Sequence, residues 1–247
     1  MIFVNSIFKG RHVLITGGAN GIGSELVKQF CSHGGNVSFI DKDNATGEKL
    51  AGEIGVTANY IYGDLYETES IPCLIDKAKE KFGLINILIN NAAFDERHSI
   101  TDISPREWNC LMSINLTQVV FTFQSCIDDL ISSSGKVVNI SSNCFLLGLA
   151  DYPAYLAANA SISALTKSFS REFGPKGINI NSIAPGWVIT ERQKKWLNIE
   201  SSRKCLGEQS LKRHITPEDV SSACLYLASN ASAAICGQTI VIDGGRV

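Results

Sequence analysis

Seven short β-branched runs alternate with six amphipathic stretches, and no other feature constrains the fold of this chain as tightly. The runs are His12–Thr16, Asn36–Ile40, Tyr60–Tyr62, Ile85–Ile89, Lys136–Ile140, Asn179–Ile183 and Thr239–Ile242. Several are apolar almost throughout, as a strand must be when both faces of its sheet are covered. Between them lie helical stretches near Gly21–His33, Ala45–Ile54, Glu69–Phe82, Pro105–Leu130, Pro153–Phe173 and Pro217–Leu227. This succession predicts βαβ units, hence an α/β fold with a doubly wound parallel sheet. The chain has 247 residues, 45% of them hydrophobic, with no linker, repeat or low-complexity segment. One domain over residues 1–247 with a sizeable core is expected.

One stretch breaks the alternation. Gly186–His214 is long and charged and carries Trp187 and Trp196. In an open α/β sheet, an excursion after the C-terminal end of a strand belongs over the ligand crevice, so about 186–214 is expected to be a substrate flap.

Charge and cysteines exclude several classes. The 22 basic and 24 acidic residues are dispersed, for a net charge of −2. That leaves no electrostatic footprint for nucleic acid or an anionic membrane. Met1 to Lys9 has only a brief apolar patch, without the h-region or cleavage site of a secretory signal. No apolar run approaches the roughly 18 residues of a membrane span. Eight cysteines are scattered without a Cys-x-x-Cys pair or zinc-ligand spacing. They read as small buried side chains in a reducing cytosol, with no metal and no disulfide. A cytoplasmic protein is expected.

The first strand runs directly into Gly17-Gly18-Ala19-Asn20-Gly21-Ile22-Gly23, and a helix follows. Glycines 17, 21 and 23 allow a tight turn, close approach of the backbone to a pyrophosphate, and close helix–strand packing. The helix N-terminus offers free N–H groups and a positive dipole end. An acid, Asp41, closes the second strand. Its carboxylate can accept hydrogen bonds from both adenosine ribose hydroxyls and would repel a 2′-phosphate. Neither Lys42 nor Asp43 makes the spot strongly basic. The cofactor expected is NAD in preference to NADP.

These motifs resemble the short-chain dehydrogenase/reductase family over residues 8 to 245. The resemblance lies in Thr16-Gly17-x-x-x-Gly21-x-Gly23, Asn90-Asn91-Ala92-Ala93, Asn115, and Ser142 thirteen residues before Tyr155. Pro185-Gly186 and the closing Asp243-Gly244-Gly245 extend it. The resemblance implies a Rossmann-type seven-stranded sheet and a homotetramer, with Pro153–Phe173 and Pro105–Leu130 forming one interface. It further implies that Asp64 and Leu65 border the adenine, that Asn91 steadies the fourth strand, and that Val188 and Thr190 hold the carboxamide. Ser142 would bond the substrate oxygen, Tyr155 would pass the proton, and Asn115 would hold a relay water. Within the family, Asn90–His98, Leu147–Tyr155 and Pro185–Gln193 are similar to aldose 1-dehydrogenases. That implies a sugar or related alcohol as substrate, with Asp95, Glu96, Arg97, His98 and the indoles beside one crevice.

The family pairs its tyrosine with a lysine four residues on; here Asn159 occupies that position. A lysine one helical turn along faces the tyrosine. Its charge at about 4–5 Å, with an effective dielectric near 20, is worth roughly 3–4 kcal/mol, or about 2–3 pKa units. Asn159 supplies no charge and is expected to retain only the ribose contact. Lys167 is two turns further along the helix, too distant to substitute. Two readings follow: an NAD-dependent oxidoreductase impaired at proton transfer, or a catalytically inactive dinucleotide-binding or scaffold protein of the same fold.

Overall fold

The apolar runs assemble into one all-parallel sheet in a computed structural model that describes residues 6–247. Residues 1–5, the first part of the Met1–Lys9 start, lie outside the described residues. The strands are β1 His12–Thr16, β2 Asn36–Asp41, β3 Ala58–Tyr62, β4 Ile87–Asn90, β5 Lys136–Ile140, β6 Asn179–Pro185 and β7 Thr239–Ile242. Their order across the sheet is β3-β2-β1-β4-β5-β6-β7. The order reverses between β1 and β4, and the crevice of a doubly wound sheet opens at that point, beyond the carboxyl ends of the strands.

The helices on the two faces are α1 Gly21–Ser32, α2 Asn44–Ile54, α3 Ile71–Phe82, α4 Pro105–Met112, α5 Gln118–Ser133, α7 Pro153–Phe173 and α9 Pro217–Ala228. Short α6 Cys144–Leu147 and flap helix α8 Ile199–Glu208 complete the set. Alternate strand residues face opposite layers, and both layers are apolar. Val13, Ile15, Phe39 and Ile87 pack with Leu26, Phe30, Cys224 and Leu225 from α1 and α9. Leu14, Ile40, Leu88 and Val137 pack with Leu74, Ile75, Phe123, Leu130 and Phe173 from α3, α5 and α7. Double-sided burial is the physical reason these strands read as continuous apolar runs.

Several elements depart from the sequence expectation. β4 begins at Ile87, not Ile85, and the Ile85 N–H donates to the Asp129 carboxylate at 3.0 Å. The stretch Pro105–Leu130 is not one regular helix: a π turn over Ser113–Thr117 separates α4 from α5. The flap carries a short 3-10 turn, Gln193–Trp196, before α8. The stretch Pro105–Ser132 also has the length and mean hydropathy of a membrane span, which a search for an unbroken apolar run does not anticipate. Its Leu111, Ile114, Val119, Phe123, Cys126 and Leu130 are buried in the fold.

Candidate active site

The carboxyl ends of the central strands, the β1–α1 turn and the flap enclose a cleft of about 1300 Å³. The turn is built so that backbone approaches backbone. Gly17 and Gly21 have φ of +65° and +55°. A Cβ on Gly17 would lie 2.8 Å from the Ala92 Cα, and one on Gly23 would lie 1.9 Å from the Gly17 carbonyl oxygen. The Asn91 amide donates to the Thr16 and Gly17 carbonyls at 3.0 and 2.9 Å. The Thr16 hydroxyl accepts from the Asn91 and Ala92 N–H groups. The end of β4 is thereby stitched to the turn.

No side chain caps the N-terminus of α1, and its first turn contains no acid. Asn20 donates instead to Asp43 at 3.0 Å. Gly21, Ile22 and Gly23 therefore bring uncapped backbone to the cleft wall, together with Asn20. Asp41 also lines the cleft; its carboxylate accepts from the Ala19 and Asp43 N–H groups at 2.9 and 3.0 Å. Each carboxylate oxygen keeps further acceptor capacity. Asp64, Leu65, Val188 and Thr190 border the same space. A glycine cradle that a Cβ would fill, an uncapped helix end and an oriented carboxylate fit a nicotinamide dinucleotide.

Ser142 and Tyr155 meet on the wall beyond β5. The Ser142 Oγ accepts from the Cys144 N–H at 3.2 Å. The Tyr155 phenol is pushed well above its usual range, by burial first and then by Cys144 and Asp95; hydrogen bonding by Ser142 and Asn159 opposes this. None of these influences is a cation. Asn159 is only 3% exposed and stands behind Tyr155, not among the residues that line the cleft. Its Nδ2 donates back to the Tyr155 carbonyl at 2.8 Å, and its own carbonyl accepts from the Ser141 hydroxyl at 2.9 Å. Asn115 also stands behind the wall; its amide accepts from the Phe94 N–H at 2.8 Å and donates to the Phe94 carbonyl at 3.0 Å. The other expected cofactor-binding and catalytic positions line one cleft.

The far half of the cleft is polar and aromatic. Asp95 bonds Arg192 and the Gln193 amide, each at 2.6 Å, and Gln193 accepts from the Trp187 indole at 2.8 Å. This network joins the loop after β4 to the flap. Arg97, Tyr152, Trp187 and Trp196 share the wall. His98 and Glu96 do not, against the expectation that they stand beside the crevice. The His98 backbone N–H donates to the Asp151 carbonyl at 3.0 Å, and its ring Nε2 accepts from the Ala154 N–H at 3.3 Å. His98 thus secures the β4 loop to the start of α7. Sequence similarity alone does not single out Tyr152, Arg192 or Gln193; only packing reveals their positions.

Residues 17–246 match the family model described as enoyl-(acyl carrier protein) reductase. The chain is 38% identical over 243 residues to a probable galactose dehydrogenase of Rhizobium meliloti, covering 96% of this chain and 95% of that protein. It is 33% identical over 241 residues to a D-xylose 1-dehydrogenase of Caulobacter vibrioides, covering 96% of each. A solved structure from Brucella melitensis, titled a short-chain dehydrogenase/reductase and glucose/ribitol dehydrogenase, aligns with a TM-score of 0.93. Its identity is 24% with 99% of each chain covered, a likeness of fold.

Proposed function

The chain belongs to the short-chain dehydrogenase/reductase family of oxidoreductases, and we propose that it is an NAD-dependent sugar dehydrogenase whose proton step is slowed by Asn159. The observation that carries this is the meeting of the Ser142 and Tyr155 hydroxyls with Asp41 and the β1–α1 glycines in one cleft. A bound nicotinamide supplies hydride acceptance from the substrate carbon. The protein's task is then to orient the alcohol and remove its proton. Ser142 holds the substrate oxygen and Tyr155 takes the proton. Asp41 selects NAD by accepting from the ribose hydroxyls and repelling a 2′-phosphate. The sugar assignment draws on the relatives' names and on the Asp95, Gln193 and Trp187 network, which offers hydrogen-bond partners beside an apolar face. We further propose a homotetramer in the cytoplasm.

A second reading, a dinucleotide-binding protein without turnover, is favoured by one observation: the Asn159 amide is buried and bonded to the Tyr155 carbonyl. One experiment separates the two. The protein is incubated with NAD and a panel of aldoses from pH 7 to 10 while absorbance at 340 nm is followed. Turnover that rises with pH supports the dehydrogenase. NAD binding without turnover at any pH supports the second reading.

A further inference from the structure

Arg97 stands on the cleft wall with its guanidinium carbon 4.6 Å from the Trp196 ring centre and 5.4 Å from that of Tyr152. Trp196 comes from the flap and Tyr152 immediately precedes α7. A planar cation is therefore positioned by two elements before any ligand arrives. The Tyr152 ring lies 6.3 Å from the Tyr155 ring, so Arg97 is one aromatic ring removed from the proton-transfer hydroxyl.

Three carboxylates of this region are engaged elsewhere. Asp95 pairs with Arg192, Glu191 with Lys194, and Glu208 with Arg246. Among the described residues, no carboxylate lies within 4.0 Å of Arg97, Lys195 or Lys204, all of which border the cleft. The substrate half thus presents three cations that no carboxylate pairs with at salt-bridge distance. A neutral sugar needs hydroxyl partners, which Asp95 and Gln193 already offer. The Arg97 guanidinium hydrogen-bonds the Tyr152 side chain, and a guanidinium has five N–H donors, so it retains donors that match two oxygens of a carboxylate or a phosphate.

We infer that the substrate is a polyol carrying an anionic group, carboxylate or phosphate, and that Arg97 is the specificity-determining residue that reads it. This rests on the dehydrogenase reading, so the test uses binding and does not depend on the Tyr155 proton step. Calorimetry of the protein saturated with NAD compares galactose, galacturonate and galactose 6-phosphate. One of the two anions binds about ten- to hundredfold more tightly than galactose, the range for a charge-assisted pair, and the advantage falls with salt. Which anion gains identifies the group. Arg97→Gln removes most of that advantage, and Arg97→Lys, which keeps charge but loses the planar fork, restores part of it. Equal or weaker binding of both anions, or an advantage that survives Arg97→Gln, overturns the inference. Binding and oxidation of galactose alone would overturn it while leaving the dehydrogenase reading intact. NAD binding with no affinity for any of the three sugars would remove both.

Discussion

In the proposed reaction Tyr155 carries the chemistry and Asn159 sets its limit. Burial first, then Cys144 and Asp95, push the phenol up, and no cation stands among its influences to bring it down. A base whose pKa lies above the working pH loses about a factor of ten in active fraction for each unit of that gap. Turnover with NAD is therefore expected to climb from pH 7 to 10 without a plateau. Restoring charge with Asn159→Lys lowers the phenol by about 2–3 units and raises the neutral-pH rate roughly a hundredfold. Initial rates at 340 nm across that range check both outcomes; an unchanged profile in Asn159→Lys would sink the electrostatic account. Ser142→Ala removes the hydroxyl proposed to orient the substrate oxygen. It is expected to cut kcat/KM by about 10²–10³ while NAD affinity, followed by fluorescence titration, is retained. Both hydroxyls are legible in the sequence because their spacing is a family signature. The orientation of Asn159 is not. A short amide can satisfy itself on the carbonyl four residues back, and nothing in the sequence says whether it turns there or toward a ligand.

The turn between β1 and α1 is the most readable element, since its glycines answer to sterics alone. Gly23→Ala would place a carbon 1.9 Å from the Gly17 oxygen, so the helix start must move away from the strand. The expected result is loss of measurable NAD binding and a lower melting temperature, read by titration and thermal unfolding. The start of α9 gives a milder, pH-dependent case. The Asp219 carboxylate accepts from the Thr216 N–H at 2.9 Å and from Arg213 at 2.6 and 2.8 Å. The Arg213 hydrogen bond foremost holds its carboxyl below the usual range. A carboxyl depressed on folding stabilises the protein above its unfolded pKa of about 3.9, and that gain is lost as pH falls through the lower folded value. Asp219→Asn is expected to cost about 1 kcal/mol at pH 7, mostly from the cap, because the ion pair is largely exposed. The difference from wild type should shrink below about pH 4 in urea titrations. Other elements are less legible. The π turn at Ser113–Thr117 keeps the apolar pattern of a continuous helix, so periodicity does not reveal it, yet it is this turn that carries Asn115, whose amide is bonded to the Phe94 backbone. His98 reads as a sugar contact by similarity, and only tertiary packing assigns it to the α7 start.

The sheet and its two apolar layers account for one chain, but they leave part of the α5–α7 surface open. Phe123 stacks on Phe169 at 4.9 Å and meets Phe173 edge-on at 5.2 Å, fastening α5 to α7 inside the subunit. Phe121, two residues away on α5, points outward and is 39% exposed. A buried phenylalanine is worth about 1.5–3 kcal/mol over an exposed one, so an interface on this face would recover that energy. In a two-fold arrangement the same patch meets itself, and each substitution appears twice in the contact. A stable interface needs roughly 1,200–2,000 Å² in total, an area that two long helices and their symmetry mates can supply. Light scattering is therefore expected to give the mass of four chains. Phe121→Glu would set two like charges in or near that contact and should lower the assembly to dimers or monomers. Its circular dichroism should match the wild type, because Phe121 makes no part of the subunit core. A monomeric wild type would refute the tetramer outright. A Phe121→Glu protein that stayed tetrameric would move the interface away from the α5 face while leaving the assembly itself in place.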